Sequence, residues 1–348
     1  MGRGPIRVMI VEDSPVVRTL LTHIVREDPT LTVAAAVASA EEAIAALPSV
    51  RPDIISMDIR LPGMDGLEAT RRIMAEQPTP IVVVSASIDK AQLGPTMEAL
   101  SSGALSVVEK PVGLTHGDYA GIAQQIRTQL RIMSDVAVVR RRMHPAVAAP
   151  VSRRGAGAEP KLIACAASTG GPQALAKVFA ELPGAVDLPV LLVQHMGAPF
   201  MEGFVRWLDG VLPRRVRLAE AGAALAAGTI HVAPGDRHLR IDKAGRIALG
   251  DEAQIRGQRP SATALLESVA AAYGGAALGV VLTGMGEDGA PGVRAMVAAG
   301  APVLAEHEAS AVVYGMPAAA VREGAQAVPL GEMARQIARI ATRAGSHA

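Results

Sequence analysis

Residues 162–172 read Leu-Ile-Ala-Cys-Ala-Ala-Ser-Thr-Gly-Gly-Pro. The apolar run Leu162–Ala166 lacks polar alternation, the pattern of a strand in a sheet covered on both faces. Leu175, Val178, Phe179 and Leu182 then follow helical spacing. Pro172 falls in the first turn of that helix, where a missing N–H costs nothing. Ser168 is therefore expected at a strand-to-helix turn. The segment alone leaves two readings open. Ser168 caps the helix, or the small-x-Ser-x-Gly spacing of Ala166–Gly170 forms a nucleophile elbow.

Two further apolar runs end in polar groups. Pro189–Val193 leads into Gln194-His195-Met196, and Leu278–Leu282 into Thr283-Gly284-Met285-Gly286-Glu287-Asp288-Gly289. Strand C-termini of a parallel sheet meet along one edge, so Ser168, His195 and Asp288 are expected on one rim. A serine hydroxyl is a poor nucleophile until an imidazole accepts its proton, and a carboxylate fixes the imidazole tautomer. The same glycine run also fits a dinucleotide fingerprint, with Glu308 at a ribose-binding distance. That reading is disfavoured because only Pro302–Ala305 follows as a clear strand.

Residues 1–134 show a second alternation. Apolar runs at Ile6–Val11, Ile54–Met57, Ile81–Val84 and Ala104–Val108 are separated by helical patterns. Val17, Leu20, Leu21, Ile24 and Val25 mark one helix, and Ser39 with Glu42 forms a capping-box signature before another. Both halves of the chain are thus expected to be α/β, each a doubly wound, mostly parallel sheet. In the first, Glu12 and Asp13 follow one strand and Asp58 another, although Asp13 also reads as an N-cap ahead of Pro15. Three carboxylates at one edge repel one another unless a cation joins them, and Mg²⁺ suits an all-oxygen set. Ser85 and Lys110 end two further strands. A carboxylate, a divalent ion and a basic side chain together fit an aspartyl-phosphate.

The 348 residues suffice for two domains, and 34 basic against 33 acidic side chains leave a net charge of +1. Such a balance gives no basis for nucleic-acid binding. Between the halves, Arg140, Arg141, Arg142, Arg153 and Arg154 stand among prolines and a Gly-Ala-Gly-Ala stretch, so residues 135–160 read as a linker. The expected domains are 1–134 and 161–345. Cys165, the single cysteine, indicates a reducing compartment. With no secretory h-region at the start, the expected location is the cytoplasm. The uncharged stretch Ser268–Gly286 has the length of a membrane span, but its five glycines fit a helix end, a turn and a strand better.

The segments Val-Glu12-Asp13-Ser, Met-Asp58-Ile-Arg-Leu-Pro-Gly-Met-Asp-Gly, Val-Ser85-Ala and Glu-Lys110-Pro111 resemble response-regulator receiver domains. That likeness implies Asp58 as phosphoacceptor, Glu12, Asp13 and Asp58 around Mg²⁺, and Ser85 and Lys110 as phosphoryl sensors. Val107 stands where such domains often carry a switch aromatic. The segments Ala-Ser168-Thr-Gly-Gly, Gln-His195-Met, Val-Ala-Pro-Gly-Asp236-Arg-His, Arg259-Pro-Ser261, Thr-Gly-Met285-Gly-Glu-Asp288-Gly-Ala and Glu-Ala-Ser310-Ala-Val-Val-Tyr-Gly-Met-Pro317 resemble the CheB chemotaxis methylesterases. This second likeness implies a Ser168–His195–Asp288 triad, with Thr169 and the Met285 loop at the oxyanion, and a catalytic domain that needs no cofactor.

The family further implies methyl-accepting chemotaxis receptors as substrates, deamidation at the same site, and a histidine kinase of the CheA type as phosphodonor. A resting receiver would cover the active face of what is expected to be a monomer. Ala166, Glu287 and Glu306-His307-Glu308 depart from the family pattern, and the expectation is that they alter loop charge and substrate fit. Two alternatives remain: a binding module or esterase acting on a non-chemoreceptor partner, and a nucleotide-binding oxidoreductase.

Overall fold

The computed structural model describes residues 4–85, 104, 106–111, 116–134, 136 and 158–342. The chain divides into two compact units, Met1–Met143 and His144–Ala348. The expected linker lies outside the described residues except for 136 and 158–160, as do the last three residues of the expected second domain.

In the first unit the order is β1 (Ile6–Val11), α1 (Pro15–Arg26), β2 (Leu31–Val37), α2 (Ala40–Val50), β3 (Ile54–Met57), α3 (Gly66–Glu76), β4 (Ile81–Ser85), β5 (Ser106–Glu109) and α4 (His116–Ser134). The sheet runs β2-β1-β3-β4-β5, with every pair parallel. Its order reverses at β1, so the crevice beyond β1 and β3 is the expected ligand position. Ser39 caps α2 by accepting the Glu42 N–H, and the Glu42 carboxylate reaches back to the Ala38 N–H at 3.0 Å. Asp13 does not cap α1. Ser14 does, accepting the Val17 N–H. Pro15 opens the helix and forces the residue before it into an extended conformation, which makes Ser14 the cap and leaves Asp13 at the strand end.

The second unit runs β6 (Ile163–Ala167), α5 (Gly171–Glu181), β7 (Val190–Gln194), α6 (Ala198–Val211), β8 (Arg215–Leu218), β9 (Thr229–Val232), β10 (His238–Ile241), β11 (Ile247–Gly250), α7 (Ala262–Tyr273), β12 (Leu278–Val281), α8 (Ala290–Ala298), β13 (Val303–Glu306), α9 (Met316–Arg322), β14 (Gln326–Val328) and α10 (Leu330–Ala341). Seven strands form a parallel sheet in the order β14-β13-β12-β6-β7-β9-β8, while β10 and β11 make an antiparallel pair. Several strands start one residue later than expected. Pro189 and Pro302 have no N–H to donate to the ladder and serve as acceptors instead. Two strands, β13 and β14, follow the glycine loop, where one was expected.

Alternation along β6 explains its all-apolar sequence. Leu162, Ala164 and Ala166 join a core with Leu265, Leu266 and Val269 of α7, Val293 and Met296 of α8 and Met316 of α9. Ile163, Cys165 and Ala167 point the other way and are also fully buried. Burying one such leucine contributes about 1.5–3 kcal/mol. The Ser268–Gly286 stretch is the end of α7, a single 3-10 turn and β12, as expected. Among the described residues no helix is long and apolar enough to cross a membrane.

Close packing fixes the loop after β3. A Cβ on Gly66 would lie 1.9 Å from the Asp58 carbonyl oxygen. Gly66→Ala is therefore expected to destabilise the first unit by about 1–3 kcal/mol, read as a lower urea midpoint.

Candidate functional site

In the first unit Glu12 and Asp58 are buried and Asp13 is exposed. One carboxylate oxygen from each lies within 4.8 Å of the others. Lys110 Nζ sits 2.7 Å from Glu12 Oε2 and 2.8 Å from Asp58 Oδ2. Burial raises the Asp58 pKa; attraction to Lys110 and its hydrogen bond oppose this, but the net shift is upward. Glu12 is likewise raised, first by burial, with the Lys110 hydrogen bond opposing and the Asp58 charge adding to the rise. Burial acts to lower the Lys110 pKa, yet the charge of Asp58 and hydrogen bonds to Asp58 and Glu12 hold it above its ordinary value. Two carboxyls kept out of water and only partly compensated, with a third beside them, suit a small hard cation. Ser85 ends β4 and its carbonyl accepts the Lys110 N–H at 3.0 Å, which places both residues on this rim. Val107 lies on β5 opposite Val83.

In the second unit β6 is the switch point, flanked by β7 and β12. Ala167 stands opposite Gln194, so Ser168 and His195 are the next residues of adjacent strand ends. The His195 N–H donates to the Ala167 carbonyl at 2.9 Å, and the Ser168 N–H to the Thr283 carbonyl at 3.0 Å. Gln194 Nε2 donates to the carbonyls of both Ser168 and His195, tying the two turns together. Ser168 is not a helix cap, because Gly170 occupies that position with a φ of 76°. Gly284 packs directly on the serine. A Cβ there would lie 2.8 Å from Ser168 Cβ and 2.5 Å from the Met316 sulfur. Thr169 is buried, with its carbonyl accepting the Thr283 hydroxyl at 2.9 Å, while Met285 is exposed.

His195 Nε2 lies 2.9 Å from Asp288 Oδ2. Asp288 also takes the Ser261 hydroxyl at 2.7 Å, the Ala262 N–H at 2.7 Å, the Thr263 hydroxyl at 2.8 Å, the Gly289 N–H at 2.9 Å and the Thr263 N–H at 3.2 Å. Burial pushes its pKa up. The hydrogen bond and charge of His195, with the Ser261 and Thr263 hydroxyls, outweigh that and hold it at about 2. Asp288 is therefore an ionised acceptor, so Nε2 carries the proton it shares and Nδ1 of a neutral ring is left with the lone pair. Nδ1 is buried and has no hydrogen-bond partner. The expected Ser168–His195 hydrogen bond is thus not formed. A serine hydroxyl sweeps its cone by rotation about one bond, and such contacts often tighten only with substrate.

Sequence reasoning missed part of this site. Ser261 and His238 stand in the sequence only as members of longer motifs, with no role of their own, and Thr263 lies outside them. The signal was present in Ser261-Ala-Thr263 directly before an apolar helical run, a helix-start pattern. Glu306 also differs from expectation. It ends β13, is buried and accepts the Thr283 N–H at 2.9 Å, so it supports the β12 end rather than adding charge to a loop. Glu287 is exposed and pairs with Arg256 and Arg322.

An acid-rimmed parallel sheet followed by a second sheet with hydroxyl, imidazole and carboxylate at its switch point defines a receiver-linked α/β hydrolase. The profile of the family described as CheB methylesterase matches residues 163–337. That of the response regulator receiver domain matches residues 8–117. A relative from Myxococcus xanthus (strain DK1622), named protein-glutamate methylesterase/protein-glutamine glutaminase 4, is 45% identical over 326 residues, spanning 92% of this chain and 92% of its own. The second such protein of Paramagnetospirillum magneticum (strain ATCC 700264 / AMB-1) is 46% identical over 348 residues, spanning 97% and 98%. The crystal structure of the Thermotoga maritima CheB methylesterase catalytic domain is similar with a TM-score of 0.51 at 31% identity, covering 53% of this chain and 100% of that one. The chain belongs to the CheB methylesterase family and carries a response regulator receiver domain ahead of the catalytic one.

The low Asp288 pKa has a thermodynamic sign. Folding lowers it from 3.8 to about 2. The resulting stability is fully present above pH 3.8 and is lost as pH falls through about 2. Urea unfolding from pH 5 to pH 2 is expected to show wild type losing about 2 kcal/mol more than Asp288→Ala.

Proposed function

We propose that this chain removes methyl groups from γ-glutamyl methyl esters of methyl-accepting chemotaxis receptors, and deamidates receptor glutamines, under control of phosphorylation at Asp58. The names of its relatives support the reaction class, and the observation that carries the reading is the His195–Asp288 bond beside Ser168 at the sheet's switch point. Ser168 Oγ attacks the ester carbonyl while His195 Nδ1 takes its proton. Asp288 stabilises the imidazolium that forms. The Thr169 amide and the Met285 loop receive the oxyanion. Collapse breaks the C–OCH₃ bond, the imidazolium returns its proton to the leaving oxygen, and methanol departs. His195 then draws a proton from water as it attacks the acyl-serine, releasing glutamate and restoring the serine. A glutamine side chain follows the same course and releases ammonia.

Residues 1–134 form the receiver in this reading, 135–160 the linker and 161–345 the catalytic domain. Asp58 accepts the phosphoryl group from a histidine kinase of the CheA type, and Ser85 and Lys110 hold its oxygens. Glu12, Asp13 and Asp58 would hold Mg²⁺, which, when bound, neutralises charge on the transferring group. Driving a two-state equilibrium from mostly inactive to mostly active takes about 5 kcal/mol of differential stabilisation.

Methanol release from methylated receptor membranes tests the chemistry. Ser168→Ala is expected to lower the rate at least 10³-fold; equal release by both proteins removes the esterase reading. Gating is tested separately with acetyl phosphate. Asp58→Asn is expected to show the same rate with and without it, whereas full stimulation of that variant refutes control through Asp58.

A further inference from the structure

Asp288 is held by hydroxyl and N–H donors from the start of α7 and from Gly289 as well as by His195. We propose that Thr263 is a positioning residue for the ester hydrolysis, acting through Asp288; this rests on the triad reading above. Its hydroxyl is used twice. It donates to Asp288 Oδ1 at 2.8 Å and accepts the Gly289 N–H at 2.9 Å. One oxygen thereby ties the carboxylate to the backbone of its own loop and to the first turn of α7. Oδ1 is occupied by Thr263, Ser261 and the Gly289 N–H. That leaves Oδ2, braced by the Ala262 N–H, aimed at His195. Rotation of the carboxylate about its Cβ–Cγ bond would break these bonds together.

The neighbouring donors have further duties that Thr263 lacks. The Ser261 hydroxyl also caps α7, accepting the N–H groups of Thr263 and Ala264. Its removal therefore weakens the helix as well as the seat. His238 acts one step further out. Its Nδ1 accepts the Ser261 N–H at 3.2 Å and its Nε2–H faces the Ala253 carbonyl at 3.1 Å, which fixes where Ser261 stands. Thr263 does not cap α7, and its hydroxyl bonds to the Asp288–Gly289 loop at both Asp288 Oδ1 and the Gly289 N–H. A valine there keeps the shape and removes only the hydrogen bonds. Oδ1 then loses one donor and the Gly289 N–H loses its threonine acceptor, so the carboxylate gains freedom to turn while the fold around it stands.

Misdirection of a group that orients the base affects the transition state more than substrate binding. The test is steady-state methanol release by the full chain, with acetyl phosphate, from a peptide bearing a glutamate γ-methyl ester. Thr263→Val is expected to lower kcat about ten-fold or more with KM within two-fold of wild type. Thr263→Ala, which cannot crowd the site, is expected to show the same loss, and Thr263→Ser to regain at least half of the wild-type kcat. The downfield proton resonance of the His195–Asp288 hydrogen bond is expected to weaken in Thr263→Val and return in Thr263→Ser. A merely structural role would lower the melting temperature but leave kcat per folded molecule and that resonance unchanged, and this result overturns the proposal. Failure of serine to restore what valine removes overturns it too. Ser168→Ala is assayed alongside. If it is as active as wild type, the triad reading itself has fallen; if it is inactive while Thr263→Val keeps the wild-type kcat, only the role of Thr263 has.

Discussion

A carboxylate taken out of water persists as an anion only where donors replace the water it has lost. Asp288 meets that condition at the first turn of α7, among backbone N–H groups and two hydroxyls. The orientation of His195 depends on this anion, and the anion depends on where α7 begins. That position is set in turn by Leu265, Leu266 and Val269 packing into the core beneath β6 and β7. The polar edge is thus held by an apolar interface behind it.

The two units are both parallel sheets with a switch point, but their strand orders differ and their electrostatics are opposite. Chain order reverses at β1 in one sheet and at β6 in the other, and each collects its polar side chains where that strand ends. In the second unit the carboxylate is supplied with donors and held strongly acidic. In the first, Glu12 and Asp58 are buried with a single lysine between them and their pKa values are raised. A carboxylate saturated with donors suits the fixed orientation of an imidazole. A pair left short of positive charge suits a site that must accept a cation and a phosphoryl group.

Much of this was legible in the chain. Strand runs ending in Glu12, Asp58, Ser168 and His195 place those residues on sheet edges by topology alone, because period and strand direction are written locally. The Asp288 loop was legible for the same reason. The bonds that seat Asp288 were not, since they join residues 25 or more positions apart across two elements. Capping was legible only in part. Ser39 follows its pattern, whereas the extended conformation that Pro15 imposes moved the cap of α1 from Asp13 to Ser14. Glu306, expected to alter loop charge, instead ends β13 buried, where the Thr283 N–H takes it as acceptor, a pairing across 23 positions that no local pattern announces.

Cys165 lies in the middle of β6, fully buried below the strand end that carries Ser168, and burial pushes its thiol pKa up. A thiol without access to solvent or a stabilising charge offers almost no thiolate to electrophiles. It is also the only sulfhydryl in the polypeptide. Maleimide chemistry on the native fold therefore meets a silent background, and a cysteine introduced at any exposed position becomes a unique handle for fluorophores or spin probes.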